Sequence, residues 1–229
     1  MILPTETTFA QPGHVVEWFM DLEQYSPEWW KLRQATVTGS TADPLLASAA
    51  KGWAGLSSGA WTLVYQLADE LRLGDDWDPP SSGSSYQSDD MERGHLMEPK
   101  ARKAYELVQL CRTQLVGFVR VAGRLAGASP DFRQTRRPIG GEIKCLSWKH
   151  HVAYCERAVP DLAHQRQVQW SLWVTKWKRW DLVHYHPEAG QHSLKVDPTE
   201  PDPKAQKAID ERFQVAEKAI RSFAEKYSH

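Results

Sequence analysis

Two acidic side chains and one lysine, spaced as they would be on a β-hairpin, are the residues of this sequence best suited to chemistry. Ser129-Pro130-Asp131 is followed, after ten residues, by Glu142-Ile143-Lys144. Because successive side chains of a strand point to opposite faces, Glu142 and Lys144 share one face while Ile143 points into a core. Asp131 lies far enough upstream to be on the preceding strand, opposite Glu142. We therefore expect two carboxylates and one ammonium group to converge.

This set of groups suits metal-assisted hydrolysis of a phosphodiester. Two carboxylates are fitting ligands for a hard divalent cation such as Mg²⁺, which binds oxygen and keeps several waters. A lysine beside the cation can hold or polarise the attacking water. The same pattern is also typical of an exposed hairpin with an ion pair, and short motifs of this kind occur by chance. The nuclease hypothesis therefore depends on the residues before and after the hairpin.

Two segments upstream contribute further polar groups. Ser26 and Pro27 predict a helix start, because serine caps a helix and proline is tolerated at its first position; this helix carries Arg33. The segment around Gly39 and Ser40 resembles a second helix start, where hydroxyl groups serve as caps. Free N–H groups at a helix start also suit a phosphate, and Arg33 could grip one with two hydrogen bonds. Both interpretations of this segment stay open.

Glu98 is a third candidate carboxylate, on a helix predicted for residues 89–110. On a regular helix it would lie beside Arg102, four residues later, which is typical of an exposed ion pair. Pro99 removes a helical hydrogen bond and predicts a kink or a restart of the helix near Glu98. A helix broken at a carboxylate can direct that carboxylate toward a site.

The length of 229 residues fits one α/β domain over the whole chain better than two domains. Apolar periodicity predicts helices over 14–24, 61–73, 89–110, 161–178 and 204–226, with one more beginning at Ser26, and strands within 115–128, at 142–144, over 180–186 and over 193–196. The Gly-, Pro- and Ser-rich segment 74–88 predicts a mobile surface loop within the domain. The sequence shows no internal repeat.

Composition excludes some classes of protein. The net charge of −1 argues against a protein that coats DNA passively, because such binding comes mostly from neutralising phosphates. It argues less against an enzyme whose metal ions supply local positive charge. Three cysteines form no paired framework, and no apolar run approaches a membrane span or a secretory signal. We therefore expect a cytoplasmic protein without a membrane segment.

Several motifs in this order resemble one family of nucleases. They are Trp30-Lys31-Leu32-Arg33 with Thr38-Gly39-Ser40, the helix with Glu98, Ser129-Pro130-Asp131, Glu142-Ile143-Lys144-Cys145, and the segment from Gln167 to Thr175. The set is similar to the lambda-type viral 5′→3′ exonucleases, the YqaJ-like recombinase nucleases of the PD-(D/E)xK superfamily. The likeness spans about residues 27–186, and its most discriminating part is the Gln-x-Gln helix. It implies a restriction-endonuclease-like α/β core, with a central mixed sheet flanked by helices.

The resemblance also implies roles for individual residues. Asp131, Glu142 and the carbonyl of Ile143 would hold the catalytic Mg²⁺, Glu98 would serve the second of two ions, and Lys144 would position or help deprotonate the water. Arg33, Ser40, Ser129 and Gln167 would form a pocket for the 5′-phosphate of the substrate. A further arginine of the family pocket is missing, and Lys149 and His150 are the nearest replacements. Pro99 is a second departure from the pattern.

The activity implied is removal of mononucleotides from the 5′-phosphorylated end of linear double-stranded DNA, which leaves a 3′ overhang for phage-type recombination. Mn²⁺ could replace Mg²⁺. Members of the family form homotrimeric rings around DNA and work with a single-strand annealing recombinase, in the cytoplasm of a bacterial host. A closed ring would explain processive action without strong positive charge.

Other interpretations of the same residues are open. A restriction-type endonuclease could carry the same triad and would cut closed circular DNA. A protein that kept the fold could bind DNA ends without catalysis. Against this stands the presence of all four candidate catalytic residues, Asp131, Glu142, Lys144 and Glu98. Cys145, His150, His151 and Cys155 could be imagined as a zinc site, but their spacing fits no common zinc pattern. Trp173, Trp177 and Trp180 are more typical of packing or of a subunit contact than of a platform on which bases stack.

Overall fold

The computed structural model of the chain describes residues 2–47, 53–79, 89–157 and 159–228. The strands of these ranges are β1 (Glu6–Gln11), β2 (His14–Phe19), β3 (Thr113–Gln114), β4 (Phe118–Val121), β5 (Gly127–Ala128), β6 (Phe132–Gln134), β7 (Ile139–Lys144), β8 (Arg179–Tyr185) and β9 (Leu194–Thr199). The helices are α1 (Pro27–Arg33), α2 (Asp43–Leu46), α3 (Ser58–Leu73), α4 (Asp89–Gln109), α5 (Trp148–Arg157), α6 (Leu162–Thr175) and α7 (Pro203–Lys226).

The described strands form two sheets, and the second carries the candidate site. The first sheet is antiparallel in the order β1-β2-β4-β5. The second has the order β3-β6-β7-β8-β9, and it is mixed because β7 runs parallel to β8 while the other pairs are antiparallel. The α/β class with a mixed sheet and flanking helices is thus confirmed. No helix in the described ranges has the length and apolar character needed to cross a bilayer.

The prediction of a helix over residues 14–24 is wrong. Residues His14–Phe19 form β2, which pairs with β1 on one side and β4 on the other. His14, Val16 and Trp18 are buried, whereas Val15 and Glu17, which alternate with them, are only partly buried. This alternation is the burial pattern of a strand. Two adjacent valines and two aromatic residues favour a strand. Pairing with two neighbouring strands therefore outweighed the weak helical spacing.

Other boundaries agree with the sequence more closely. Ser26 caps α1 by accepting a hydrogen bond from the backbone N–H of Trp29, as predicted. Helix α6 ends at Thr175, three residues earlier than expected, because Lys176 takes a left-handed conformation with φ of 56°. Helix α5, which follows β7, is not among the helices that the sequence analysis predicts. The predicted loop 74–88 begins with a 3-10 turn at Gly74–Asp76, and residues 80–88 lie outside the described ranges.

The core is built around α6, which packs between the first sheet and α7. Trp170 and Trp173 are both buried; the indole N–H of Trp170 donates to the carbonyl of Gly127, and that of Trp173 donates to Asp210. Trp180 is fully buried on β8. Trp177 packs against the buried residues around Trp180 and against those around Trp170 and Trp173. These aromatic residues are packing residues, as predicted. They fix α6 and therefore the polar side chains at its N-terminal half.

Gly140 and Gly141 allow the strands around the site to pack closely. A Cβ atom at Gly141 would overlap the Phe132 ring on β6, and one at Gly140 would overlap the Trp180 ring on β8. Both aromatic rings are fully buried, so neither can move into solvent. Both glycines lie inside β7, and they are required there by the closeness of the two rings.

We predict that Gly141→Ala destabilises the protein by about 2 kcal/mol, because an added methyl group forces a buried ring out of its rotamer. Urea denaturation measures the free energy of unfolding. Gly94→Ala is the matched control: a Cβ at Gly94 meets nothing within 4 Å, and alanine is favoured over glycine in a helix by about 1 kcal/mol. Equal stability of the two variants would contradict the packing argument.

Candidate active site

Asp131, Glu142 and Lys144 come together where β6 and β7 begin to pair. Phe132 pairs with Gly141 in this antiparallel ladder, and the backbone N–H of Asp131 donates to the carbonyl of Gly141 at 3.1 Å. The Asp131 carboxylate accepts a hydrogen bond of 2.5 Å from the backbone N–H of Ile143. The ladder therefore holds Asp131 beside β7, opposite Glu142, as the spacing predicted.

A second network joins β7 to α6. The ammonium group of Lys144 contacts the Glu142 carboxylate at 2.9 Å and donates to the side-chain carbonyl of Gln167 at 3.0 Å. The Gln167 amide nitrogen donates in turn to the same oxygen of Glu142, at 2.5 Å. Gln167 thus orients both members of the ion pair. Glu142 and Lys144 lie on the same face of β7, as predicted. Ile143 points the other way and packs in the core with Phe132 and Val183.

The three candidate carboxylates repel one another in a site that excludes much of the solvent. Burial, and then the charge of Glu142, raise the pKa of Glu98 to about 7. Burial, followed by the charges of Glu142 and Glu98, raises the pKa of Asp131 well above its usual range. Burial alone would lower the pKa of Lys144, but Glu142 and Asp131 outweigh it and raise that pKa. With all three carboxylates ionised, the site would carry more negative charge than Lys144 balances.

Glu98 reaches this site from α4, although the helix is not broken beside it. Helix α4 runs through Pro99 without a restart, so that part of the prediction is wrong. Glu98, Asp131, Glu142 and Lys144 line one cavity of about 360 Å³. Arg102 lowers the pKa of Glu98, but less than burial and Glu142 raise it. The carboxylate therefore belongs to the cavity more than to a surface ion pair.

Arg33 gathers the predicted phosphate-binding groups. Its guanidinium donates to the hydroxyl groups of Ser129 at 2.9 Å, Thr38 at 3.1 Å and Ser40 at 3.3 Å. It also stacks on the Trp29 ring, with 4.2 Å between the guanidinium carbon and the ring centroid. Burial lowers the pKa of Arg33 to about 10, which keeps the group charged at neutral pH. A charged guanidinium group that is stacked on an aromatic ring and surrounded by hydroxyl groups is well suited to bind a phosphate.

Gln167 connects the Arg33 cluster with the carboxylates. Gly39 lies against the Gln167 side chain: a Cβ at Gly39 would be 3.1 Å from its Cγ. Gly39 and Ser40 form a 3-10 turn capped by Thr38, rather than the start of a regular helix. The capping interpretation of this segment is therefore correct in geometry, and the same hydroxyl groups also contact Arg33.

The two substitutes for the missing arginine differ in position. His150 lines the cavity, and its Nδ1 lies 2.9 Å from the hydroxyl of Ser147. Lys149 is exposed on α5 and does not line the cavity in the described part of the chain. His150 is thus the better placed of the two.

Sequence reasoning missed three residues of the site. Thr38 binds Arg33, and its position two residues before Ser40 on the same hydroxyl-rich turn was the available signal. His164 lies one helical turn before Gln167, lines the cavity, and has its pKa lowered to about 4 by burial and Lys144. Tyr25 lines the cavity from the turn before α1, and no motif pointed to it.

The donor set fits a hard divalent cation, but the side chains are not preset as a cage. In the described ranges, no three His, Cys, Asp or Glu side chains stand ready to hold a metal ion. Glu142 is turned to Lys144 and Gln167, and Asp131 is turned to the N–H of Ile143. A cation would compete with these bonds and relieve the repulsion between the carboxylates. Oxygen donors suit Mg²⁺, and burial raises the pKa of the neighbouring Cys145 thiol to about 12, which disfavours a thiolate ligand.

The imagined zinc site is not formed. The Nε2 of His151 lies 2.7 Å from the carbonyl of His192, and the Cys155 thiol contacts the same carbonyl. Cys145 lines the candidate active site instead. These groups are used for local packing within the described ranges, which agrees with the unsuitable spacing.

The mixed sheet with flanking helices, which holds Asp131, Glu142 and Lys144 at one end, has the PD-(D/E)xK fold. The sequence profile of the YqaJ-like viral recombinase domain matches residues 28–178, which is more than half of the chain. The chain belongs to this family.

Solved structures support the fold. Two structures of the alkaline exonuclease LHK-Exo from Laribacter hongkongensis, one of them in complex with dAMP, give TM-scores of 0.72 and 0.71 at 22% and 21% identity. Each comparison covers 88% of this chain and 95% of the other. A phage-related exonuclease from Haemophilus somnus 129PT gives 0.56 at 13% identity, covering 84% and 96%. The search of curated proteins finds no match.

We predict that Glu98→Gln raises the melting temperature of the chelator-treated protein at pH 8, by about 3 °C or more. The raised pKa of Glu98 means that the folded state binds its proton more tightly than the unfolded state does. Stability is therefore lost as the pH rises from about 4.5 to about 7, and an uncharged amide avoids that loss.

Thermal unfolding at pH 5 and pH 8 tests this expectation. The gain should shrink at pH 5, where Glu98 is protonated in the folded protein. Glu211→Gln, on the exposed face of α7, is the control and should change little at either pH. A Glu98→Gln gain of equal size at both pH values would refute the electrostatic explanation.

Proposed function

We propose that this chain is a Mg²⁺-dependent 5′→3′ exonuclease that degrades one strand of linear double-stranded DNA from a 5′-phosphorylated end. The single observation that carries the proposal is the bridge made by Gln167. Its contacts bring a charged, hydroxyl-lined Arg33 cluster next to a buried carboxylate–lysine site. One subsite suits a terminal phosphate and the other suits a scissile phosphodiester. Family membership and the folds of the exonucleases described above support the same activity.

Each residue then has a defined task. Asp131, Glu142 and the carbonyl of Ile143 would hold one Mg²⁺, and Glu98 would hold or orient a second. Bound cations would supply Lewis-acid stabilisation of the charge that develops on the phosphate oxygens. Lys144, held by Gln167 and kept charged by the neighbouring carboxylates, would position the attacking water as a hydrogen-bond donor.

The Arg33 cluster selects the bond that is cut. Arg33, Ser40 and Ser129 bind the 5′-phosphate, with Gln167 beside them and His150 in place of the missing arginine. A fixed end leaves only the next phosphodiester over the carboxylates, so one mononucleotide leaves at each step. The complementary strand remains as a 3′ overhang, the substrate expected of an annealing recombinase. A homotrimeric ring and replacement of Mg²⁺ by Mn²⁺ belong to this proposal by family resemblance.

A restriction-type endonuclease is the second candidate, because it would use the same three residues. It gives no role to the Arg33 cluster, since cutting within a duplex needs no terminal phosphate. A DNA-end-binding protein without catalysis would leave Lys144 and its Gln167 contact unexplained. The arrangement around Gln167 therefore favours the exonuclease.

We expect Lys144→Ala to lower hydrolysis of 5′-phosphorylated linear duplex by at least about 100-fold while DNA binding stays measurable, because the water loses its positioning group. Release of mononucleotides with Mg²⁺ is the measurement, and covalently closed circles are the parallel substrate. Lys207→Ala, at an exposed position of α7, is the control and should retain activity. Full activity of Lys144→Ala would exclude this mechanism, and cutting of the circles by the unmodified protein would favour the endonuclease.

We expect removal of the 5′-phosphate to slow initiation by the unmodified protein about tenfold, and Arg33→Lys to abolish most of that difference. Lysine keeps the charge but lacks the planar fork that binds two phosphate oxygens. Initial rates on paired substrates with 5′-phosphate and 5′-hydroxyl ends give the ratio. Arg72→Lys, which alters only an exposed pair with Asp69, is the control. Equal rates of the unmodified protein on both ends would remove the assigned pocket.

A further inference from the structure

Tyr25 occupies a strained backbone position at the mouth of the catalytic cavity. The N–H of Ser26 donates to the carbonyl of Glu23 at 3.3 Å, and Tyr25 has a φ of 69°. The third residue of such a turn is usually glycine, because a side chain is disfavoured at positive φ. Strained non-glycine residues persist where the surrounding structure fixes them, and they cluster at functional sites.

The turn is fixed directly beside Asp131. The amide group of Gln24 donates to the carbonyl of Val116 at 2.8 Å and to that of Pro130 at 3.2 Å. Pro130 immediately precedes Asp131, so the turn and the catalytic carboxylate share one attachment. The conformation of Tyr25 is therefore set by the same backbone that positions Asp131.

The ring of Tyr25 spans the interval between the two subsites. It packs on the Trp29 ring, with 4.9 Å between centroids, and the Arg33 guanidinium stacks on that same ring. It also contacts His95 of α4 edge to face, at 4.6 Å between centroids. The residue is 44% exposed, and it lines the cavity that contains Glu98, Asp131 and Glu142. Burial, and then the charges of Asp131 and Glu98, raise the pKa of its phenol to about 12, so the hydroxyl keeps its proton at neutral pH and can donate it in a hydrogen bond.

We propose that Tyr25 is a further substrate-positioning residue, whose hydroxyl donates a hydrogen bond to a non-bridging oxygen of the scissile phosphodiester. This inference rests on the proposed nuclease function and adds a contact to the same site. A phosphate bound to cations at Asp131 and Glu142 would lie next to this hydroxyl. The ionised carboxylates of the site could not make the same contact, because they have no proton to donate. The strained turn is then the means by which an aromatic side chain is presented there.

Tyr25→Phe tests the proposal by removing one oxygen atom and keeping the ring. A hydrogen bond to a charged phosphate oxygen corresponds to about a tenfold loss of kcat/KM on 5′-phosphorylated linear duplex, and the loss should be equally large on 5′-hydroxyl ends. The melting temperature should stay unchanged, since the contacts with Trp29 and His95 remain. Tyr65→Phe, at a half-exposed tyrosine of α3 that does not line this cavity, is the matched control and should keep full activity.

Two outcomes would overturn the assignment. Unchanged kcat/KM in Tyr25→Phe would reduce Tyr25 to a packing residue. A loss confined to 5′-phosphorylated ends would place the hydroxyl in the Arg33 pocket instead of at the scissile bond. Both outcomes presuppose an active unmodified protein; absence of hydrolysis in the unmodified protein would instead reject the proposed function itself.

Discussion

The repulsion among Glu98, Asp131 and Glu142 is the constraint on which the site depends. Burial, and then repulsion from neighbouring carboxylates, raises the pKa values of Glu98 and Asp131, which shows that three ionised carboxylates in one cavity are unfavourable for the folded chain. Lys144, Gln167 and the N–H of Ile143 offset part of it through short hydrogen bonds. The remaining excess of negative charge is what would make the cavity a receptor for divalent cations. The carboxylates would therefore lower the stability of the folded chain at the position where cations would bind.

Rigid neighbours hold this unfavourable arrangement in place. Gly140 and Gly141 let β7 approach the rings of Phe132 and Trp180, and α6 is fixed by its buried tryptophans. Side chains on such elements cannot turn away from one another at low cost. The polar groups of the site are therefore held by buried aromatic packing, with two indole N–H groups hydrogen-bonded as well. Preorganisation of this kind is more effective for charge stabilisation than groups that must first reorient.

In the proposed function, the Arg33 cluster would let one cation serve both structure and phosphate binding. Its guanidinium is stacked on Trp29 and bonded to three hydroxyl groups before any substrate is present. A bound phosphate would exchange some of these neutral partners for charged oxygens, and charge-assisted bonds are the stronger ones. His150 lines the neighbouring cavity and lies within hydrogen-bond distance of Ser147.

The sequence by itself determined the local features that depend on residue type and short spacing. Asp131, Glu142 and Lys144 were found because a strand alternates its faces, and Arg33 with Ser40 because hydroxyl groups mark helix starts. Tertiary structure decided what depends on partners far along the chain. His14–Phe19 became a strand through pairing with β4, about a hundred residues away. The Gln167 bridge and the place of Tyr25 at the cavity also needed the fold, because contacts between distant segments leave no periodic signal in either one.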